Sequence, residues 1–130
     1  MTKFSLNYLD HIAIRVKDME ASAQWYKKVL GLKICKFPKW DPYPIFLMQD
    51  NFGIALFPAH LDDPELDRSS LNIKIDHFAF NVSNEDFQVA LAHYEALDIE
   101  YTVKDHYYFH SVYIHDLDGH LVELTTKITL

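Results

Sequence analysis

Three short segments of this chain carry side chains able to bind metal ions or move protons. Asp10-His11-Ile12-Ala13-Ile14-Arg15-Val16 and Asp76-His77-Phe78-Ala79-Phe80-Asn81-Val82 repeat one phrase, with a histidine at the same place in each copy. Late in the chain, Leu121-Val122-Glu123-Leu124-Thr125 sets a carboxylate into a strand-like run. Two imidazoles and one carboxylate on one side of a divalent ion leave coordination positions open for water or substrate. Such an ion can bind two neighbouring substrate oxygens and stabilise a developing oxyanion or activate dioxygen. His11, His77 and Glu123 are therefore the candidate ligands, suited to iron, manganese, nickel, cobalt or zinc. Another outcome stays open at this level: a buried Glu123 paired with Arg15 would be an inert ion pair.

The elements that must position these residues follow from alternation and caps. Ile12, Ile14 and Val16 fall on one face of the first segment, and His11, Ala13 and Arg15 on the other. Asp18 is placed as an N-cap, and Met19 through Leu30 reads as an amphipathic helix stopped by Gly31. Short strands are expected over 32–37, 45–49 and 53–57, the last two joined by the turn Asp50-Asn51-Phe52-Gly53. The order then recurs: a strand over 75–82, a helix over about 85–97 capped by Ser83 or Asn84, and strands starting at Ile99, Ser111 and His120. The expected architecture is α+β, a single domain over 1–130. Its two pseudo-symmetric βαβββ modules span about 6–58 and 74–126, with an acidic surface linker over 59–73.

The phase of the apolar residues assigns the faces. Ile12, Ile14, Val16, Ile54 and Leu56 lie under the first helix; Phe78, Phe80, Val82, Val112, Ile114, Val122 and Leu124 lie under the second. The opposite face collects His11, Arg15, His77, Asn81, Ser111, Tyr113, His115, Glu123 and Thr125. A face bearing metal ligands and hydrogen-bonding groups suits the lining of a cleft. Trp40, Tyr43, Phe46, Tyr107, Tyr108 and Phe109 concentrate in loops and strand ends, where aromatic side chains wall a pocket for a planar ligand.

Bulk properties exclude several classes. The formal charge of −7 offers no general attraction for nucleic acid or an anionic membrane face. The lone Cys35 cannot form an internal disulfide, which fits a reducing compartment. The stretch Met1-Thr2-Lys3-Phe4-Ser5-Leu6 lacks the apolar core of a signal peptide, and no run is long enough to span a bilayer. The expectation is a cytoplasmic protein acting on a small molecule.

The residues also resemble a known family. The Asp-His-Ile-Ala-Ile-Arg-Val phrase, a helix carrying Trp25-Tyr26 and its ending Val29-Leu30-Gly31-Leu32 are similar to the opening module of the vicinal oxygen chelate superfamily. Asp116-Leu117-Asp118-Gly119-His120 running into Glu123 resembles that family's closing Asp-Pro-Asp-Gly turn and metal-binding glutamate. The resemblance covers essentially the whole chain. It implies sheets curled into a cup around a divalent ion held by His11, His77 and Glu123, and a homodimer in which a site is built within one chain or shared between two.

Departures narrow the activity. Ala55 stands where glyoxalase I members carry a fourth ligand, and Gln49 sits one strand away from the glutamine that methylmalonyl-CoA epimerases need. Fosfomycin-modifying thiol transferases and extradiol dioxygenases use a two-His, one-Glu set, and Tyr113 matches an active-site tyrosine of both. Ser111 matches a serine of the fosfomycin enzymes. Their potassium loop is replaced by His106-Tyr107-Tyr108-Phe109-His110, and their arginine beyond the glutamate would fall past Leu130, which weighs against phosphonate chemistry. The resulting expectation is a metal-dependent glyoxalase- or dioxygenase-like enzyme. Tyr113 would be its proton donor and His115 its shuttle, with Arg15, Asn81 and Ser111 toward the substrate. The competing reading is a metal-free small-molecule binder of the bleomycin-resistance type.

Overall fold

Asp18 opens the first helix because its carboxylate accepts the Ala21 N–H at 3.0 Å, and Gly31 closes it in the left-handed conformation at φ 73°. Between these caps runs α1, Met19–Leu30, which buries Ala23, Tyr26 and Val29. These bounds are the ones the sequence predicts. The computed structural model describes residues 3–65 and 67–128. Met1 and Thr2, where the signal-peptide reading begins, and Leu66 in the expected linker lie outside the described residues, as do Thr129 and Leu130.

The chain divides between Asp63 and Pro64 into two compact units of one construction. In the first, β1 (His11–Val16), β2 (Lys33–Lys36), β3 (Ile45–Gln49) and β4 (Phe52–Pro58) form a sheet in the order β1-β4-β3-β2. Strands β1 and β4 run parallel, with His11 beside Gly53 and Ala13 beside Ala55. A single 3-10 turn, Pro38–Trp40, interrupts the run from β2 to β3. Ile14, Val16, Ile45, Leu47, Ile54 and Leu56 are buried, while His11, Ala13 and Arg15 are exposed, so the helix-facing phase is as expected.

The second unit repeats the plan with β5 (Phe78–Asn81), α2 (Asn84–Ala96), β6 (Thr102–Asp105), β7 (Phe109–His115) and β8 (Leu121–Lys127). Its sheet order is β5-β8-β7-β6, again with first and last strands parallel. Ser83 caps α2 by accepting the Asp86 N–H at 3.1 Å. Phe87 and Tyr94 of α2 are buried, as are Val112, Ile114, Val122 and Leu124 of the sheet. The two βαβββ modules make the fold α+β. Among the described residues no helix is long and apolar enough to cross a membrane.

Three strand starts differ from expectation by two residues or more, each for a physical reason. The strand expected over 75–82 pairs only from Phe78, leaving Ile75, Asp76 and His77 as its extended approach. The strand expected from Ile99 begins at Thr102, because Ile99 N–H instead bonds Tyr94 C=O at 2.9 Å and finishes the turn after α2. Strand β7 starts two residues early, since Phe109 and His110 find partners in Lys127 and Thr126.

Gly53 lies beside His11 in the ladder, and a Cβ there would strike the Leu47 carbonyl oxygen and come within 2.7 Å of Met48 Sδ. The carbonyl belongs to a paired strand and cannot give way. Gly53→Ala should therefore cost about 1–3 kcal/mol of stability, read by chemical denaturation. An unchanged midpoint would mean that β3 and β4 sit further apart than described.

Candidate metal and proton-transfer site

Each candidate imidazole is held by the residue before it. Asp10 Oδ1 lies 2.8 Å from His11 Nδ1, and Asp76 Oδ2 lies 2.8 Å from His77 Nδ1. An ionised carboxylate only accepts, so Nδ1 carries the hydrogen in both rings and Nε2 is left to face outward. Carboxylates that orient histidine in this way are the usual supports of metal-binding imidazoles. Both aspartates stand in the repeated phrase, yet alternation alone assigns them no role; the signal was an acid preceding histidine in both copies.

Strand pairing then brings a second carboxylate to His77. Glu123 lies beside Ala79 in the parallel β5–β8 ladder and beside Tyr113 across β7. Its Oε1 is 2.9 Å from His77 Nε2, and the residue is only 7% exposed. His77 thus faces a carboxylate on each nitrogen. That arrangement is satisfied by a doubly protonated imidazolium or by a metal ion bound to Nε2 and Glu123. Two ligands held at about 2.0–2.2 Å and at right angles on one ion lie roughly 3 Å apart, so the donor pair fits a metal. Among the described residues no three His, Cys, Asp or Glu side chains are gathered closely enough to hold a metal ion, the expected His11, His77 and Glu123 included.

Tyr113 lies against the same pair, its ring 5.9 Å from that of His77. Burial first, and then the negative charge of Glu123, push its phenol above the ordinary value, with Asp76 adding to the effect. The phenol therefore keeps its proton at neutral pH. His106 Nε2 stands 2.9 Å from the Tyr113 oxygen and offers a route for that proton. His106 sits in the turn 106–108 between β6 and β7, where Tyr107 adopts φ 70° and its N–H bonds Asp105 Oδ1 at 2.9 Å.

The other expected site residues divide. His115 shares a cleft of about 640 Å³ with His77 and Tyr113, lined also by Asp76, Arg68 and Lys104. Partial burial, then the charge of Arg68, hold the His115 pKa below its ordinary value, while Asp116 and Glu100 pull the other way. Ser111 is fully buried, its hydroxyl 3.0 Å from that of Thr125. Asn81 donates to the Thr125 carbonyl at 3.3 Å. Arg15 donates to the Pro58 carbonyl at 2.9 Å and lies 5.6 Å from the Phe57 ring centre.

Module one lacks the equivalent acid. Ala55 occupies the β4 position that Glu123 occupies in β8, and Phe46 stands where Tyr113 stands. Phe46 packs 5.3 Å from His11 and joins Trp40 and Phe37 in one aromatic cluster. The aromatic wall expected from the sequence is thus gathered beside His11 at Trp40 and Phe46, whereas Tyr43 packs on Phe57. Tyr107, Tyr108 and Phe109 are exposed in module two.

Known proteins align with this geometry. A family model described as the Glyoxalase/Bleomycin resistance protein/Dioxygenase superfamily matches residues 8–124. Metallothiol transferase FosB of Staphylococcus epidermidis is 28% identical over 121 residues, 91% of this chain and 82% of that protein. Among solved structures, a glyoxalase/dioxygenase from Nostoc punctiforme superposes with a TM-score of 0.80 at 22% identity, covering 99% of this chain and 97% of that one. The fosfomycin resistance protein FosX from Listeria monocytogenes gives 0.74 at 19% identity, covering 95% and 94%.

Because Arg68 disfavours protonation of His115, Arg68→Gln should raise the His115 pKa toward the ordinary histidine value. Histidine NMR titration reads this directly. An unchanged or lowered pKa would place the guanidinium away from the ring.

Proposed function

The chain belongs to the glyoxalase/bleomycin resistance protein/dioxygenase superfamily, and from that premise we propose a metal-dependent enzyme whose divalent ion is held by His11, His77 and Glu123. The observation that carries this is the 2.9 Å approach of His77 Nε2 to Glu123 Oε1, with Nδ1 already committed to Asp76. When bound, iron, manganese, nickel, cobalt or zinc would act as a Lewis acid toward adjacent oxygens of a small substrate.

The chain's own groups supply the rest. Asp10 and Asp76 fix the two imidazoles with Nε2 outward. Tyr113, kept protonated beside Glu123, donates a proton or hydrogen bond at its phenolic oxygen, and His106 behind it exchanges that proton. His115, held neutral to lower pH than an ordinary histidine, serves as the second base in the same cleft. Asn81 and Ser111, each bonded to Thr125, and Arg15, on the edge strand of module one, are the polar groups toward the substrate. The aromatic cluster beside His11 favours a substrate with a planar or apolar part. Reactions of the glyoxalase or dioxygenase kind fit this set. The relatives bear the names metallothiol transferase, for FosB, and fosfomycin resistance protein, for FosX, so thiol transfer and fosfomycin modification are the first activities to assay.

We place the enzyme in the cytoplasm as a homodimer. Strands β1 and β5 each form one edge of their sheet, and Leu71, Ile73 and Ile75 leading to β5 are exposed, so each module has a strand edge that could pair with a second copy. A metal-free binder of the bleomycin-resistance type is the competing reading; there His77 would be an imidazolium clamped between Asp76 and Glu123.

Metal content by mass spectrometry separates the two. Untagged protein should hold near-stoichiometric metal, lost in His77→Ala and Glu123→Ala. Asp76→Asn should weaken metal binding by roughly 10- to 100-fold through the loosened imidazole. Protein that stays empty after incubation with each ion would leave the binder.

A further inference from the structure

Two cations enter the cleft of module two from outside the proposed metal set. Lys104, on β6, places its ammonium 6.0 Å from the centre of the Tyr113 ring. Arg68 comes from the segment between the modules and rests on the 116–119 turn. Gly119 makes that seat: it lies at φ 93°, and a Cβ there would come within 2.9 Å of Arg68 Nε. The turn itself is rigid, with Asp116 Oδ1 accepting the N–H groups of Asp118 at 2.9 Å and His120 at 2.8 Å.

The carboxylates nearby are largely committed elsewhere. Asp67 accepts from the backbone and hydroxyl of Ser69 at 3.0 and 2.9 Å. Asp76 holds His77, and Asp116 holds its turn. Glu100 is the remaining acid of the cleft lining. Among the described residues no carboxylate forms an ion pair with Arg68. A guanidinium seated on a rigid turn, facing a cleft and lacking a carboxylate, is complementary to a planar or tetrahedral oxyanion.

We propose that Arg68, assisted by Lys104, recognises an anionic group of the substrate, a carboxylate or phosphoryl oxyanion, set apart from the oxygens that chelate the metal. As substrate recognition this rests on the metal-enzyme reading above, which it narrows to substrates carrying a negative charge beyond the chelating pair. Arg68 then acts as a specificity residue: it selects and orients, and transfers no proton itself.

Inorganic phosphate titrated into chelator-treated protein tests the site without metal or turnover. Binding should be saturable, weaken with salt, and perturb the amide signals of the 116–119 turn. Arg68→Gln should weaken it by roughly tenfold or more, Arg68→Lys by less, and Lys104→Gln by an intermediate factor. Circular dichroism of each variant controls for folding. Wild-type protein that shows no saturable binding, or an Arg68→Gln variant that binds phosphate as wild type does, overturns the assignment. Since no metal is present, phosphate binding can fail while the metal site stands, or hold while the metal site fails.

Discussion

A parallel pairing between the first and last strands of a module is the constraint on which the site depends. In module two it sets Ala79 beside Glu123, so that His77, two residues before Ala79, meets the carboxylate from the same side of the sheet. Side chains alternate along a strand, and a slip of one residue would turn Glu123 into the core beneath α2. The apolar residues forbid that slip: Val122 and Leu124 are buried on the helix side. Core packing thus holds the register, and the register holds the chemistry.

The same construction in module one gives a different surface. Ala55 and Phe46 replace Glu123 and Tyr113, so the row beside His11 is apolar and aromatic where the row beside His77 is acidic and hydroxylic. Each module nevertheless keeps its aspartate-histidine pair with the same 2.8 Å spacing. One module therefore offers a single oriented imidazole in an aromatic setting. The other offers an imidazole, a buried carboxylate and a protonated phenol.

Much of this was legible in the sequence because it rests on periodicity. The repeated Asp-His phrase, the caps at Asp18 and Gly31, and the apolar phase of Ile14, Val16, Val122 and Leu124 are local signals that tertiary packing reinforces. Ala55 as a missing fourth ligand was legible only through the resemblance to glyoxalase I members. Other features lacked a periodic signature. Strand β6, Thr102–Asp105, is exposed along its length, so its position comes from pairing with β7 and not from apolar alternation. The helix end before it turns at Asp98, with φ 56°, where a glycine would have announced the stop. Ser111 and Asn81 read as cleft-facing polar groups, and their bonds to Thr125 of that same face follow from strand pairing that alternation does not announce. Arg68 lies in a loop, where no pattern predicts what a side chain meets, and its seat on Gly119 is visible only in three dimensions.

The central claim is that His77 and Glu123 meet in order to share a metal ion with His11, and diffraction with a manganese anomalous signal tests it most directly. Crystals grown with the ion should show one peak about 2.0–2.3 Å from the Nε2 atoms of two histidines, His11 and His77, and from a Glu123 oxygen. A cell without that peak, with His77 bridging Asp76 and Glu123 as an imidazolium, would contradict the account.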